Sequence, residues 1–304
     1  MKHLFIINPA AGQRESTEHL EAQIKALPVD TEIVYTCHAG EAVEIARRAA
    51  ETGESVRIYG CGGDGTLNEV VNGAAGYANA AVTNVPIGSG NDYLKIFGVG
   101  NKARFADLEA LVNGPQAAMD LIECNGRFGI GVVCAGVDAR IADDVDRYKR
   151  LPLVKGLGAY IMSLVVNVLF KGITRPFVVD TGDLHYEGEV SIICVCSGRY
   201  YGGGFMPVGD NMPDDGVIET LVVPKVSLFT FARLVGAYGK GRYKDYPKLI
   251  WPYKENEITI ASANEQDVVV CVDGEIMRDR AFTIKRSEKK VNFFYPGDLS
   301  YEQR

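Results

Sequence analysis

The chain has 304 residues, 47% of them hydrophobic, and a formal net charge of −7. This length accommodates two domains with a sizeable core, and the negative balance excludes a general nucleic-acid binder, which needs a basic face. Seven cysteines, with no C-x-x-C and with Cys194 and Cys196 the only close pair, fit buried thiols in a reducing compartment better than a disulfide framework or a zinc site.

In chain order, residues 2–7 read as a strand that stops at Asn8-Pro9. Its apolar part is too short for a secretory signal. A helix is expected at 15–26, a strand at 31–36, and a helix at 40–52, where Ala42, Ile45, Ala46 and Ala49 keep helical spacing. A strand at 55–60, a helix at 66–73, a strand at 80–87 and a helix at 104–113 continue the alternation. Such a βαβ rhythm predicts a parallel sheet with helices on both faces. Ligands of such sheets bind at the carboxyl ends of strands.

The third strand runs into Gly60-Cys61-Gly62-Gly63-Asp64-Gly65-Thr66-Leu67-Asn68-Glu69. Glycines at a strand-to-helix junction let the backbone approach a phosphate, and the helix N–H groups point at it. Thr66 and Glu69 have capping-box spacing, which starts the helix at Thr66. Gly60, Gly62 and Gly65 also fit the G-x-G-x-x-G of dinucleotide folds. Asp64 would then face a pyrophosphate, at roughly 4 kcal/mol per charge pair at ~4 Å. No acid stands about 20 residues further on to hold a ribose, and no Lys-Ser or Lys-Thr follows to make a Walker motif. A Mg²⁺ ion between Asp64 and phosphate oxygens removes the clash. A structural turn with Asp64 bonded to its own backbone is the plain alternative. A second acid-bearing glycine turn, Pro86-Ile87-Gly88-Ser89-Gly90-Asn91-Asp92, ends the fourth strand. Together the two turns suggest one shared polyphosphate–metal site.

Beyond about residue 122 the pattern becomes antiparallel. Strand-like runs occur at 127–134, 176–180, 189–196, 217–223, 257–262, 268–273, 281–286 and 291–295, with helices near 156–170 and 227–239. The apolar run from Gly156 to Phe170 falls short of the ~20 residues that span a bilayer. Ser163, Asn167 and Lys171 give it one thin polar stripe, so burial in the core is expected, with lipid contact as the alternative. Gly202-Gly203-Gly204-Phe205-Met206-Pro207 followed by Asp214-Asp215-Gly216 reads as a loop and turn, or as a hard-cation site. Val272-Asp273-Gly274-Glu275 reads as a hairpin turn, or as a carboxylate pair that takes a proton from a hydroxyl.

Together these pieces resemble the diacylglycerol kinase catalytic family, in its soluble bacterial lipid-kinase branch, related to sphingosine and ceramide kinases. The matching motifs are Asn8-Pro9-x-x-Gly12, Gly62 to Glu69, Pro86-x-Gly88-Ser89-Gly90-Asn91-Asp92, the glycine-rich segment ending in Asp214-Asp215-Gly216, and Asp273-Gly274-Glu275. They occur in family order along nearly the whole chain. The Gly62 to Glu69 motif alone is shared with NAD kinases.

The resemblance implies an α/β chain: a doubly wound, phosphofructokinase-like nucleotide-binding domain over 1–122, joined by 288–304, and a β-sandwich-like antiparallel lipid-substrate domain over 123–287. It implies ATP and Mg²⁺. Nucleotide contacts would come from Asn8, Thr36, Gly62, Gly63, Asp64, Gly65, Thr66, Leu67, Asn68, Ser89, Asn91 and Asp92. Asp64, Asp92 and Asp120 would hold the catalytic Mg²⁺. Met212, Asp215 and Val217 would hold a structural Mg²⁺. Glu275 or Asp273 would be the base. Ser89 stands where relatives usually carry Thr, and Ala11 where they usually carry Ser; Gln13 lacks the Lys of some relatives, which Arg14 would replace.

The implied reaction moves the γ-phosphoryl group of ATP to a lipid hydroxyl, with diacylglycerol the leading acceptor. Sphingoid bases, phosphatidylglycerol and polyprenols are alternatives, and so is the soluble ribose of an NAD kinase. An NAD(P) oxidoreductase and a nucleotide-sensing module are readings from other classes. Arg147, Lys149, Arg150 and Lys155, together with a segment mixing cations and aromatics from Lys240 to Tyr253, suit an anionic membrane surface. A cytoplasmic protein bound peripherally at the inner face of the membrane is expected, with a homodimer left open.

Overall fold

The computed structural model describes residues 1–12, 14–88, 90–149, 157–264 and 266–301. Strands β1 (Lys2–Ile7), β2 (Thr31–Tyr35), β3 (Val56–Gly62) and β4 (Ala80–Pro86) alternate with helices α1 (Arg14–Lys25), α2 (Glu41–Glu51) and α3 (Asp64–Ala74). The strands pair in the order β4-β3-β1-β2, all parallel, as the alternation predicts. β1 and β3 are buried along nearly their whole length, which is why their sequences run apolar without a period of two. The expected helix at 104–113 is two pieces: a 3-10 turn (Asn101–Ala106) and the short helix α4 (Leu108–Val112). Asp107 separates them and caps α4 by accepting the Ala110 N–H at 3.1 Å.

The remaining elements are β5 (Gln116–Cys124), β6 (Arg127–Gly129), β7 (Val132–Gly136), α5 (Val137–Lys149), α6 (Leu157–Val165), β8 (Arg175–Asp180), β9 (His185–Cys196), β10 (Glu219–Pro224), α7 (Leu228–Tyr238), β11 (Trp251–Tyr253), β12 (Glu257–Ser262), β13 (Val268–Val272), β14 (Glu275–Asp279) and β15 (Ala281–Phe294). These strands pair antiparallel. The expected strands 281–286 and 291–295 are one strand. β15 pairs with β12 and β5, then runs on beside β4 in parallel, through a register shift against β5 between Arg286 and Lys290. Ser287-Glu288-Lys289-Lys290 looks like a turn in sequence, yet a bulge carries an unpaired polar residue without ending the strand. The expected strand 127–134 is broken between Gly129 and Val132. Helix α5, with mean composition dominated by charge, had no counterpart in the sequence reading.

Helix α6, which continues as a π turn (Val166–Phe170), faces the opposite way from the expectation of a core helix. Its polar stripe is the buried side. The Ser163 hydroxyl donates to the Ile141 carbonyl at 2.7 Å, the Asn167 amide donates to Asp144 at 2.7 Å, and Lys171 pairs with Asp144. Ile161, Met162, Leu164, Val165, Leu169 and Phe170 face outward, Phe170 with 79% exposure. Helix α5 presents a carbonyl and a carboxylate here, and buried acceptors need donors. Among the described residues, no helix is long and apolar enough to cross a membrane.

Helices α2 and α3 cross at Gly73. A Cβ there would lie 2.5 Å from the Val43 carbonyl oxygen and 2.6 Å from the Ala46 methyl. An alanine gains about 1 kcal/mol of helix propensity, but overpacking against backbone costs about 1–3 kcal/mol. Gly73→Ala should therefore destabilise the protein by roughly 1 kcal/mol in urea titrations, whereas a variant more stable than the parent would mean the helices sit further apart.

Candidate active site

β3 and β4 are neighbours, with Gly62 opposite Pro86, so their two glycine turns meet. The Gly88 N–H donates to the Gly62 carbonyl at 3.2 Å. A Cβ on Gly88 would fall 2.9 Å from the Gly63 Cα, and one on Gly62 would fall 2.1 Å from the Thr66 hydroxyl. Only glycine permits this approach. Helix α3 begins at Asp64 with Gly63 as its N-cap, two residues before the capping-box expectation. Glu69 does not return to Thr66. Its carboxylate accepts the N–H groups of Gly40 (2.8 Å) and Ala42 (3.1 Å) and caps α2 instead.

The Asp64 carboxylate accepts the N–H groups of Asn91 (2.6 Å) and Asp92 (2.7 Å) from the second turn. Asn91 has φ 79° and ties that turn down through amide bonds to the Gly88 and Gly90 carbonyls. Burial, then the negative charge of Asp92, push the Asp64 carboxyl up to about 6, against the pull of the two N–H groups. Asp92 itself accepts from Lys95 and from the Gly203 N–H at 2.6 Å. Each carboxylate keeps lone pairs beyond these bonds. A crowded pair of hard oxygen donors with incomplete charge compensation fits Mg²⁺. Among the described residues no three His, Cys, Asp or Glu side chains converge, so such an ion would complete its shell with water, carbonyl or phosphate oxygens.

Asn8 follows β1 and Thr36 follows β2. The Asn8 amide donates to the Thr66 hydroxyl at 3.2 Å, and the Thr36 N–H donates to the Ile7 carbonyl at 2.9 Å. Leu67 belongs to the hydrophobic core. Asn68 has no exposed surface; its amide donates to the Phe128 carbonyl (2.9 Å) and Asp273 (3.3 Å), and its oxygen accepts from Arg127 (2.7 Å). Any nucleotide contact from these two residues is therefore through backbone. Ser89, Gln13, Arg150 and Lys155 lie outside the described residues, as do the side chains of Arg14 and Lys149.

The two acids of the hairpin behave differently. Asp273 (φ 48°) and Gly274 (φ 97°) make the tight turn between β13 and β14. The Asp273 carboxylate accepts the N–H groups of Ile130 (2.7 Å), Gly131 (3.0 Å) and Val132 (2.8 Å) besides Asn68, which is what breaks the strand between β6 and β7. Glu275 instead reaches over the start of α3. One of its oxygens lies 3.1 Å from where a Cβ on Gly65 would stand, and Arg127 is 3.5 Å from the other.

The remaining constellation splits in two. Gly202-Gly203-Gly204, all at positive φ, reaches Asp92, whereas the Asp214-Asp215-Gly216 turn meets Asp120. Asp120 accepts the Gly216 N–H at 2.7 Å, and its own N–H donates to the Pro213 carbonyl. Lys290 pairs with it at 2.9 Å. These contacts of Asp120 join it to the Asp214-Asp215-Gly216 turn. Asp215 is exposed and accepts the Val217 N–H at 3.0 Å. Met212 receives an Arg199 N–H at sulfur, 3.0 Å. The Lys240 to Tyr253 segment offers fewer free cations than expected, because Arg242 pairs with Asp245 and Lys244 with Asp210, and Tyr243 is buried.

Two residues that the sequence does not mark join the site, Arg127 beside Glu275 and Lys95 beside Asp92, and a third, Asp138, stands behind the glycine loop. The Tyr201 hydroxyl, beside the Gly202–Gly204 loop, donates to Asp138 and lies 3.3 Å from the Tyr238 hydroxyl. A lone Asp in a charged helix carries no local signal of this.

Residues 2–124 match the diacylglycerol kinase catalytic domain, and residues 131–293 match the YegS C-terminal NAD kinase beta sandwich-like domain. A diacylglycerol kinase of Bacillus subtilis (strain 168) is 26% identical over 275 residues, covering 89% of this chain and 88% of its own. One from Staphylococcus aureus (strain bovine RF122 / ET3-1) is 27% identical over 303 residues, covering 98% and 94%. A crystal structure of a diacylglycerol kinase from Bacillus anthracis str. Sterne shares the fold, with a TM-score of 0.69, 21% identity and coverage of 97% and 96%.

Burial pushes the Asp138 carboxyl up to about 6, against the hydrogen bond from Tyr201. The unfolded chain releases that proton near pH ~4. Its charge therefore costs stability, with the cost setting in as pH rises above about 4 and complete above about 6. Asp138→Asn escapes this, so its stability relative to the parent should rise by about 2 kcal/mol between about pH 4.5 and about pH 8. Urea titrations at both pH values measure it; a constant difference would mean a solvated carboxylate.

Proposed function

The chain belongs to the diacylglycerol kinase catalytic-domain family and is a lipid kinase, and we propose that it transfers the γ-phosphoryl group of ATP, with Mg²⁺, to the hydroxyl of diacylglycerol. The nucleotide lies on the 1–122 and 288–304 part, the acceptor on 123–287. The observation that carries this reading is the Glu275 carboxylate over Gly65, one residue from Asp64, while the Asp273 oxygens are occupied by four donors.

Phosphoryl transfer depends mainly on positioning and charge neutralisation. The N–H groups of Asp64, Gly65 and Thr66, free at the start of α3, donate to phosphate oxygens. Asp64 and Asp92 would hold Mg²⁺, which would supply neutralising charge to those phosphates. Glu275 accepts the proton of the acceptor hydroxyl as that oxygen bonds to phosphorus and the bridging oxygen leaves with ADP. Asp273 positions Glu275 and fixes the hairpin. Met212, Asp215 and Val217, with Asp120 against the same turn, would hold the second cation.

The outward apolar face of α6 supports a membrane acceptor over a soluble ribose. Tyr160 of that helix stands beside the Gly202–Gly204 loop, its hydroxyl 3.4 Å from where a Cβ on Gly202 would be, and Gly203 bonds to Asp92. Through Tyr160 on its inner side helix α6 abuts the site, and its outward face docks peripherally on the inner face of the membrane, where the acceptor resides.

Glu275→Gln should lower kcat about 100-fold or more, the range of a lost general base, with ATP affinity within about threefold. Turnover of radiolabelled ATP on a panel of diacylglycerol, monoacylglycerol, sphingoid base, phosphatidylglycerol and polyprenol in mixed micelles measures this and the acceptor together. An active Glu275→Gln beside a folded, inactive Asp273→Asn would reverse the two roles. Phe170→Ser should weaken sedimentation with lipid vesicles by about tenfold, the worth of part of a buried aromatic, and leave turnover of a short-chain, water-soluble acceptor unchanged. Equal loss on both acceptors would remove α6 from the membrane.

A further inference from the structure

A crevice of about 60 Å³ opens at the far end of β13 from the catalytic hairpin, lined by Arg140, Arg175, Ser262, Asn264 and Gln266 among others. The strand rise puts it roughly 15 Å from Asp273. Arg140 comes from α5 and Arg175 from the start of β8. Neither arginine has a carboxylate in ion-pair contact among the described residues. Arg140 donates to the Gly172 carbonyl at 2.7 Å and weakly to Asn167 at 3.5 Å, and Arg175 to the Lys171 (3.1 Å) and Thr174 (2.6 Å) carbonyls. The Nε of Arg140 is buried with no partner. The acids nearby are engaged elsewhere. Asp144 is taken by Lys171 and Asn167, and Asp267, which also lines the crevice, pairs with Arg280 at 3.5 Å; Glu265 lies outside the described residues.

Two guanidiniums that cap the end of the π turn offset its partial negative charge of about half a unit and leave a surplus of positive charge. Burial and the charge of Arg175 together bring Arg140 down to about 10, still protonated at neutral pH. A buried donor without an acceptor is costly, and guanidinium forks match phosphate oxygens in geometry as well as charge. The volume exceeds the ~10–15 Å³ that one water needs and suits a single phosphate group, not a nucleotide.

We propose that the Arg140–Arg175 crevice is an anion site for one phosphate group, either free phosphate or the phosphodiester of a lipid headgroup. It stands apart from the phosphoryl-transfer site and does not rest on the kinase reading. Its carbonyl contacts follow directly on Leu169 and Phe170 of the outward apolar face, so a lipid phosphate bound there would be held beside that face.

The test uses the full chain without nucleotide or acceptor. Inorganic phosphate is titrated against chloride at equal ionic strength with the melting temperature as readout, and sedimentation is measured with phosphatidylglycerol and with phosphatidylcholine vesicles. The variants are Arg175→Gln, Arg140→Gln, and Arg233→Gln as an exposed control outside the crevice, each checked for fold by circular dichroism. A saturable phosphate response that weakens at least tenfold in Arg175→Gln but not in Arg233→Gln supports the site with free phosphate as ligand. A tenfold loss of phosphatidylglycerol binding confined to the crevice variants, with no response to free phosphate, supports it with a headgroup as ligand. Phosphate and vesicle binding unchanged in Arg175→Gln, or lowered equally in Arg233→Gln, overturns it. Phosphate that binds in the glycine turns persists in Arg175→Gln and is thereby separated.

Discussion

The carboxylate of Asp273 ties the parallel and antiparallel halves of the molecule together. It takes three successive N–H groups from the break between β6 and β7 and the amide of Asn68 from α3. Burial holds its carboxyl above the usual carboxylate range against the pull of these bonds, so the group is satisfied by its donors rather than by solvent. The turn that satisfies Asp273 aims the next residue but one, Glu275, at the first turn of α3. Asn68 closes the same knot by accepting from Arg127, which also lies near Glu275. One buried carboxylate thereby fixes the geometry across the cleft, as buried polar networks do when fully satisfied.

Asp64 is under the opposite stress. Backbone N–H groups hold it in place, but its neighbour Asp92 repels it and burial deprives it of water. The glycines around it are set so closely that a side chain on Gly90 would touch the carboxylate at 2.4 Å. Rigid backbone thus keeps two acids together that would separate if free. Charge crowded and fixed in advance is what the proposed cation and polyphosphate would require of this site.

The surface chemistry follows from the same accounting of polar groups. Helix α6 turns its serine and asparagine inward because Ile141 and Asp144 on α5 require donors. Its apolar residues are left outward as a consequence. A helix that reads as core by composition becomes an exposed apolar face, with two arginines at its end that have no carboxylate in ion-pair contact among the described residues.

The sequence by itself determined the parallel β1–β4 order of elements, the two glycine turns at adjacent strand ends and the carboxylates in them, because glycine spacing and strand–helix alternation are local properties. It also marked the Asp273-Gly274 hairpin. The tertiary structure alone decided which hairpin acid takes the backbone N–H groups and which reaches over α3, that Asp120 serves the Gly216 turn, that Glu69 caps α2, that β15 is one strand shared by both halves, and which side of α6 is buried. Each of these depends on a hydrogen-bond partner distant in sequence, 141 to 143 residues away for the Asp273 bonds to backbone. A one-dimensional pattern records where polar groups stand along the chain but not which partner desolvates and satisfies them.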